Sequence, residues 1–223
     1  MTSRSFLLVD AMDELRRVKL RLSRALRKAF EAHGEILMRA FATLQPKTYQ
    51  APVGGPWWRR AQGAPGQPQR IIVAADLLNL VSQTTAETSA LFLGSIDGAV
   101  QQAMRIGGKA AIASVGLPLT FTLAHPQAVQ YLDRCADELL EQINSIMCER
   151  IVESLKRPGA RHIDRDLRRL YWDMALNRSR HIAATIVADA HQAGSAIVIR
   201  DLQDAGIRVA QCGGSVSSVG SCS

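Results

Sequence analysis

Between Ile71 and Val115 the chain contains no proline, and IIVAADLLNLVSQTTAETSALFLGSIDGAVQQAMRI repeats Leu, Ile, Val, Met and Ala at helical spacing over about 35 residues. A periodic run of that length is satisfied by helix and not by strand. The spacing predicts one long helix, or two broken near Gly94 or Gly98, because glycine is poorly suited to a helix interior. Two more stretches read the same way. AMDELRRVKLRLSRALRKAFEAHGEIL has no proline and one late glycine, and its Leu15, Val18, Leu22, Leu26 and Phe30 recur at steps of three and four. Pro126 suits a first helical position, and Val129, Leu132, Ala136, Leu139, Ile143, Ile146, Ile151 and Leu155 follow until Arg157-Pro158-Gly159 stops the run.

The connecting pieces are also legible. GLPLTFTLAHP reads as an irregular crossing that contains a short extended piece, TFTL. Asp164 can cap a further helix, DLRRLYWDMAL; Asn177 or Arg178 begins another, and Gly206 offers its stop. IRVAQ reads as a short strand. Residues 45–70 hold five prolines and four glycines, which disfavours continuous helix or sheet. Aromatic residues make up only 5% of the chain, and 47% apolar with 21% charged residues is ordinary globular composition. The expected fold is mainly α, with long packed helices, a short extended piece and an extended Pro/Gly-rich arm. The expected organisation is a basic amphipathic helix at 1–44, a linker or arm at 45–70, a helical domain at 71–211 and a Gly/Ser-rich tail at 212–223.

Charge is divided unevenly. Residues 1–70 hold 13 Lys/Arg against 5 Asp/Glu, and residues 71–223 hold 14 against 15, so the excess positive charge is all in the first part. Seven cations fall within one short stretch, namely Arg16, Arg17, Lys19, Arg21, Arg24, Arg27 and Lys28. Such a patch attracts phosphate backbones or an acidic protein surface, with anionic lipid ranked behind both. A solvated flank of a helix packed on its own domain or on a neighbouring subunit is the plainer reading of the same residues. In the arm, Trp57, Trp58, Arg59 and Arg60 make a candidate protein anchor, because Trp and Arg are enriched at interface hot spots; docking on the chain's own surface is the alternative. The start MTSRSFLLVDAMDE is not read as a secretory signal, and no run approaches the ~18 apolar residues of a membrane span.

Catalytic patterns are weak. RIGGKAA has Ala110 after its lysine and lacks the earlier glycine of a phosphate-binding loop, and GGPWWRR lies in a linker with no strand before it. The four cysteines show no Cys-x-x-Cys spacing and read as free thiols; Cys212 and Cys222 are separated by glycines and could meet, though no metal or cofactor is expected. In RSRHIAATIVADAHQAG, His181, Thr185 and Asp189 share a stripe, but His181 and Asp189 stand about 12 Å apart along the axis, beyond hydrogen-bond reach. Ile182, Ile186, Ala190, Ala193 and Ile197 give that helix a continuous apolar stripe with small residues that permit close approach.

From about Ala103 onward the order of features resembles the minor head proteins of tailed bacteriophages, the phage head morphogenesis family. Members carry an Arg, then Ile-Ala-Arg-Thr-Glu, then Ala-Tyr-Asn and a Gly on a helix that runs into a Gly-Val/Ile turn. This chain has Arg178, Ile182-Ala183-Ala184-Thr185-Ile186, Ala190-His191-Gln192 and Gly194, ending at Ala205-Gly206-Ile207. Upstream, Gly107, Gly108, Gly116, Phe121, Pro126, Tyr131-Leu132, Leu167 and Leu170 follow the same order. Ala184 and Ile186 replace the usual Arg and Glu, Gln211 stands near the usual Trp, and only Cys222 could represent the Cys-x-x-Cys that often follows.

The resemblance implies a non-enzymatic virion component, in multiple copies inside the capsid near the portal vertex, that aids head assembly, genome packaging or DNA delivery. Implied partners are the portal protein, other capsid components and packaged double-stranded DNA, with no membrane partner before infection. Two rivals come from the residues alone. One is a stand-alone helical nucleic-acid-binding protein, although no helix-turn-helix pattern is present. The other is a hydrolase or transferase built from His162, Asp164, His181 and Asp189, for which no nucleophile motif is found.

Overall fold

The computed structural model describes residues 3–43, 47–49, 69–71, 74–156 and 163–207. The order is α1 (Ser3–Thr43), β1 (Lys47–Tyr49), β2 (Gln69–Ile71), α2 (Ala74–Val115), α3 (Pro126–Lys156), α4 (Ile163–Asp173), a π turn (Met174–Arg178) and α5 (Ser179–Asp204). The protein is mainly α, as the periodicity implies. β1 and β2 pair antiparallel with Thr48 opposite Arg70, so the Pro/Gly-rich segment leaves and returns at neighbouring points.

α2 is unbroken, the first of the two alternatives read from the sequence, and Gly94 and Gly98 lie within it. A Cβ added at Gly94 or Gly98 would meet nothing within 4 Å, so packing demands glycine at neither position. Gly94→Ala and Gly98→Ala are each expected to stabilise the protein by about 0.5–1 kcal/mol, the helix-propensity difference. A lowered thermal midpoint in either variant would show that the backbone is approached there.

α1 runs antiparallel to α2, with Gln102 beside Glu14 and Arg21, and Thr88 beside His33. Its Val18, Leu22, Leu26, Ala29, Phe30 and Leu37 are buried in the same core as Phe92 and Ile96 of α2, Met147 and Ile151 of α3, Leu167 and Tyr171 of α4, and Ala183 and Ala190 of α5. α1 therefore builds one core with the region from 74 onward. Phe30 and Phe92 meet edge to face at 5.1 Å, the geometry that ring quadrupoles favour.

α2 and α5 cross at their glycines. A Cβ built on Gly107 would fall on the carbonyl oxygen of His191, and one built on Gly194 would fall on that of Met104. Each glycine thus turns a Cα–H towards the other helix's backbone, a weak hydrogen bond typical of close helix pairs. The Ser195 hydroxyl lies 3.0 Å from Gly107 O and 3.1 Å from His191 O, so its one proton is shared between the facing helix and its own. Gly108 faces the Phe121 ring in the same way, which brings the crossing segment down onto α2.

Leu117–Thr122 is the irregular crossing read from the sequence and joins no sheet among the described residues; Leu119 N–H bonds Leu117 O and His125 N–H bonds Thr122 O, closing local turns. His125 caps α3, its Nδ1 accepting from Gln127 N–H at 3.2 Å while Nε2 faces Asp201 of α5 at 3.3 Å. Pro126 then occupies the first helical position. α4 begins at Ile163, one residue before the expected cap Asp164, and runs through the π turn into α5 without a break. The expected start at Asn177 or Arg178 is instead the end of that π turn. Gly206, at φ +78°, ends the rod as anticipated. IRVAQ beyond Ile207 and the tail with Cys212 and Cys222 lie outside the described residues.

The rod from Arg165 to Asp204 is long and apolar enough to span a bilayer by composition, with mean hydropathy 1.4 in its most apolar window. Part of that content belongs to the core: 39% of the window is buried, and Ala183, Ile186, Val187, Ala190, Ile197 and Val198 are buried residues of α5.

Candidate docking face

Arg16, Arg17, Lys19, Arg21, Arg24, Arg27 and Lys28 are all exposed on α1, while Val18, Leu22 and Leu26 between them point inward. The 3.6-residue period divides the seven. Arg17, Arg21, Arg24 and Lys28 follow at steps of four, three and four and form one stripe; Arg16, Lys19 and Arg27 lie on another flank. Arg21 Nη2 donates to Gln102 Oε1 at 3.0 Å, and Gln102 Nε2 donates to Glu14 Oε1 at 3.3 Å, so one cation of the stripe is fixed against α2. Arg27 pairs with Glu31 at 2.8 Å, an exposed contact of small energetic weight. The other five have no ion pair among the described residues, which leaves their fields open to a partner.

Arg105 and Lys109 of α2 extend this face. They line a groove of about 310 Å³ with Glu14, Gly98, Gln101 and Gln102, beside the α1 stripe. Sequence reading missed them because their pairing with α1 arises only from tertiary packing. It also missed Trp172, which is 65% exposed on α4, where the exposed Arg165, Arg168 and Arg169 share its helix. The expected anchor Trp57, Trp58, Arg59 and Arg60 lies outside the described residues.

The helix that carries the family-like pattern is placed by packing. Ala183, Ala190 and Gly194 are buried, Gly194 at the crossing; Arg178 and Ile182 are half-buried, and Thr185 is exposed with its hydroxyl bonded back to His181 O at 3.2 Å. No family model, curated protein or solved structure matches this chain. The pattern at Ala183, Ala190 and Gly194 therefore speaks through its geometry, which is that of a close helix crossing.

Of the candidate catalytic groups, the side chains of His181 and Asp189 are among the described residues. His181 and Asp189 are both exposed, and Asp189 lines a groove of about 280 Å³ with Tyr131, Arg134, Cys135 and Glu138. His162 and the side chain of Asp164 lie outside the described residues. In the groove burial pushes the Cys135 thiol up, and burial with the neighbouring thiol pushes the Tyr131 hydroxyl up. Both shifts favour the protonated form, the reverse of what an activated nucleophile requires. Burial likewise raises Cys148 and lowers His191.

His33 of α1 is fully enclosed and stacked on Tyr171 at 5.4 Å. Thr88 Oγ1 donates to Thr84 O at 2.9 Å, so the 2.9 Å contact between Thr88 Oγ1 and His33 Nδ1 is made by the imidazole N–H. Nε2 is then a bare acceptor, with no partner among the described residues. Burial lowers this histidine to about 4.

Proposed function

We propose that the protein is a helical structural subunit that docks an anionic partner through the outer face of α1. The observation that carries this reading is that all seven cations between Arg16 and Lys28 face solvent while the apolar stripe of the same helix is held in the core. The stripe fixes the helix, and Arg16, Arg17, Lys19, Arg24 and Lys28, which have no ion pair among the described residues, are available to a partner.

The setting follows from the resemblance, which points to a minor head protein of a tailed-phage virion near the portal. There the implied partners are the portal protein and packaged double-stranded DNA, and the DNA is anionic throughout. A close, glycine-lined crossing at the positions of the family-like pattern supports a shared helical scaffold, while the basic face supports a docking task over a catalytic one.

Co-sedimentation with the portal protein of the same genome, at low and high salt, tests the setting. Association with the portal protein that weakens as salt rises is expected for the virion role, because exposed cations make the contact. Salt-sensitive DNA binding without portal association would favour the stand-alone nucleic-acid protein. Reversing Arg17, Arg21, Arg24 and Lys28 to Glu is expected to abolish retention on duplex DNA at moderate salt, since each lost phosphate contact lowers the log–log salt slope by about 1. Unchanged retention would remove DNA from the partners.

A further inference from the structure

Two grooves meet along the seam between α1 and α2. One, of about 310 Å³, is lined by Glu14, Gln101, Arg105 and Lys109, and the other, of about 270 Å³, by Arg21, Ala25 and Ser95; Gly98 and Gln102 line both. Together they follow α2 from Ser95 to Lys109, about 21 Å of helix. A hydrogen-bonded chain crosses the seam where they join, from Arg21 to Gln102 at 3.0 Å and from Gln102 to Glu14 at 3.3 Å. It positions the Arg21 guanidinium and leaves most of its N–H groups for a ligand. Gly98 is exposed there, and a Cβ on it would meet nothing, so the fold itself does not ask for glycine. Glycine is costly inside a helix, and it is the residue that lets a ligand come close to the backbone.

Charge decides the class of ligand. Residues 10–25 of α1 and 95–109 of α2 hold seven cations and four acids, the acids being Asp10, Asp13, Glu14 and Asp97. Asp97 acts on the Cys135 thiol of α3, and Glu14 already accepts from Gln102. In the lining itself Arg21, Arg105 and Lys109 stand against Glu14 alone. Resting on the reading of α1 as an anion-docking helix, we propose that this groove seats one backbone strand of double-stranded DNA, with Arg21, Arg105 and Lys109 on its phosphates and Gly98 giving the strand room. The amides of Gln101 and Gln102 are neutral donors of the kind that phosphates accept from. Arg17, Arg24 and Lys28 extend the positive field along α1 beyond the groove. An acidic amphipathic helix or a lipid surface is the poorer occupant, because the large apolar residues of the lining, Val18, Leu22 and Ile106, are buried in the core and present nothing apolar outward.

The test titrates the full chain with a short mixed-sequence DNA duplex over a series of salt concentrations, and with polyglutamate. Gly98→Leu fills the groove without altering a charge; it is expected to raise the Kd for DNA about tenfold or more while the thermal midpoint holds or rises. Arg105→Gln with Lys109→Gln leaves the groove open and is expected to lower the log–log salt slope by about 2. Both of those side chains are exposed, so the double variant should melt as the parent does, which circular dichroism verifies. If Gly98→Leu binds DNA as the parent does while reversal of Arg17, Arg21, Arg24 and Lys28 abolishes retention, DNA lies over the outer face; the inference fails and the anion-docking reading stands. An unchanged salt slope in the Arg105, Lys109 variant also overturns the inference. Polyglutamate that binds as tightly as DNA, and is equally lost in Gly98→Leu, assigns the groove to an acidic protein and overturns it too. Binding of neither DNA nor polyglutamate by the parent overturns both.

Discussion

Gly194→Ala is expected to lower stability by about 3 kcal/mol or more, at the upper end of overpacking penalties, and Gly107→Ala by a similar amount. The new Cβ in each case falls on a carbonyl of the opposite helix. A side chain in the way could rotate to another rotamer, but a helix backbone cannot move without breaking its own ladder. α2 and α5 must therefore separate, which weakens the Ser195 contact to Gly107 and the packing of Ala190 and Ile197. For a chain of this size the thermal midpoint should fall by roughly 6 to 12 °C. Because the first substitution already parts the helices, the double variant should fall short of the sum of the two. A Gly194→Ala protein that melts with the parent would mean that the helices are not in backbone contact.

The second large effect is a loss of stability in acid. His33 is held neutral, with its ordinary value of 6.5 lowered to about 4 by burial. Between those values the unfolded chain takes up a proton that the folded chain refuses. The stabilisation is complete above about 6.5, declines as pH falls through the window, and levels off near 4, after a loss of about 3 kcal/mol. Urea midpoints measured from pH 7 to pH 4 report this slope. His33→Leu should flatten most of it, leaving the smaller slope of the same sign from the half-buried His191. An unaltered slope in the leucine variant would show that His33 takes up its proton as readily folded as unfolded.

Helices with an uninterrupted period were legible in the sequence, and so were the proline that opens α3 and the glycine that closes α5. The π turn was not, although its signal is present. Leu167, Tyr171, Ala175, Ser179, Ala183 and Val187 are all buried at steps of four, longer than the 3.6-residue period, so a regular α-helix would carry them progressively off the core. One wider turn at Met174–Arg178 absorbs the drift and keeps both halves on the same side. The seven cations could be listed from the sequence and sorted into flanks by the helical period, but the tie of Arg21 to Gln102 could not be read there. Arg105 and Lys109 could not have been joined to them, because their proximity depends on how α1 lies against α2. His33 looked like one of several dispersed histidines; the Thr88 hydroxyl and the Tyr171 ring that enclose it come from distant parts of the chain.

The place of α1 in the core also has a consequence for synthesis. Its inward stripe is covered by α2 and by α4 and α5, and about 135 residues separate Thr43 from the start of α5 at Ser179. At ribosomal rates of 5–20 residues per second, the apolar side of α1 waits roughly 7 to 27 s for its last neighbours. Through that interval the nascent helix has only its own dense positive charge to keep it from sticking to other chains.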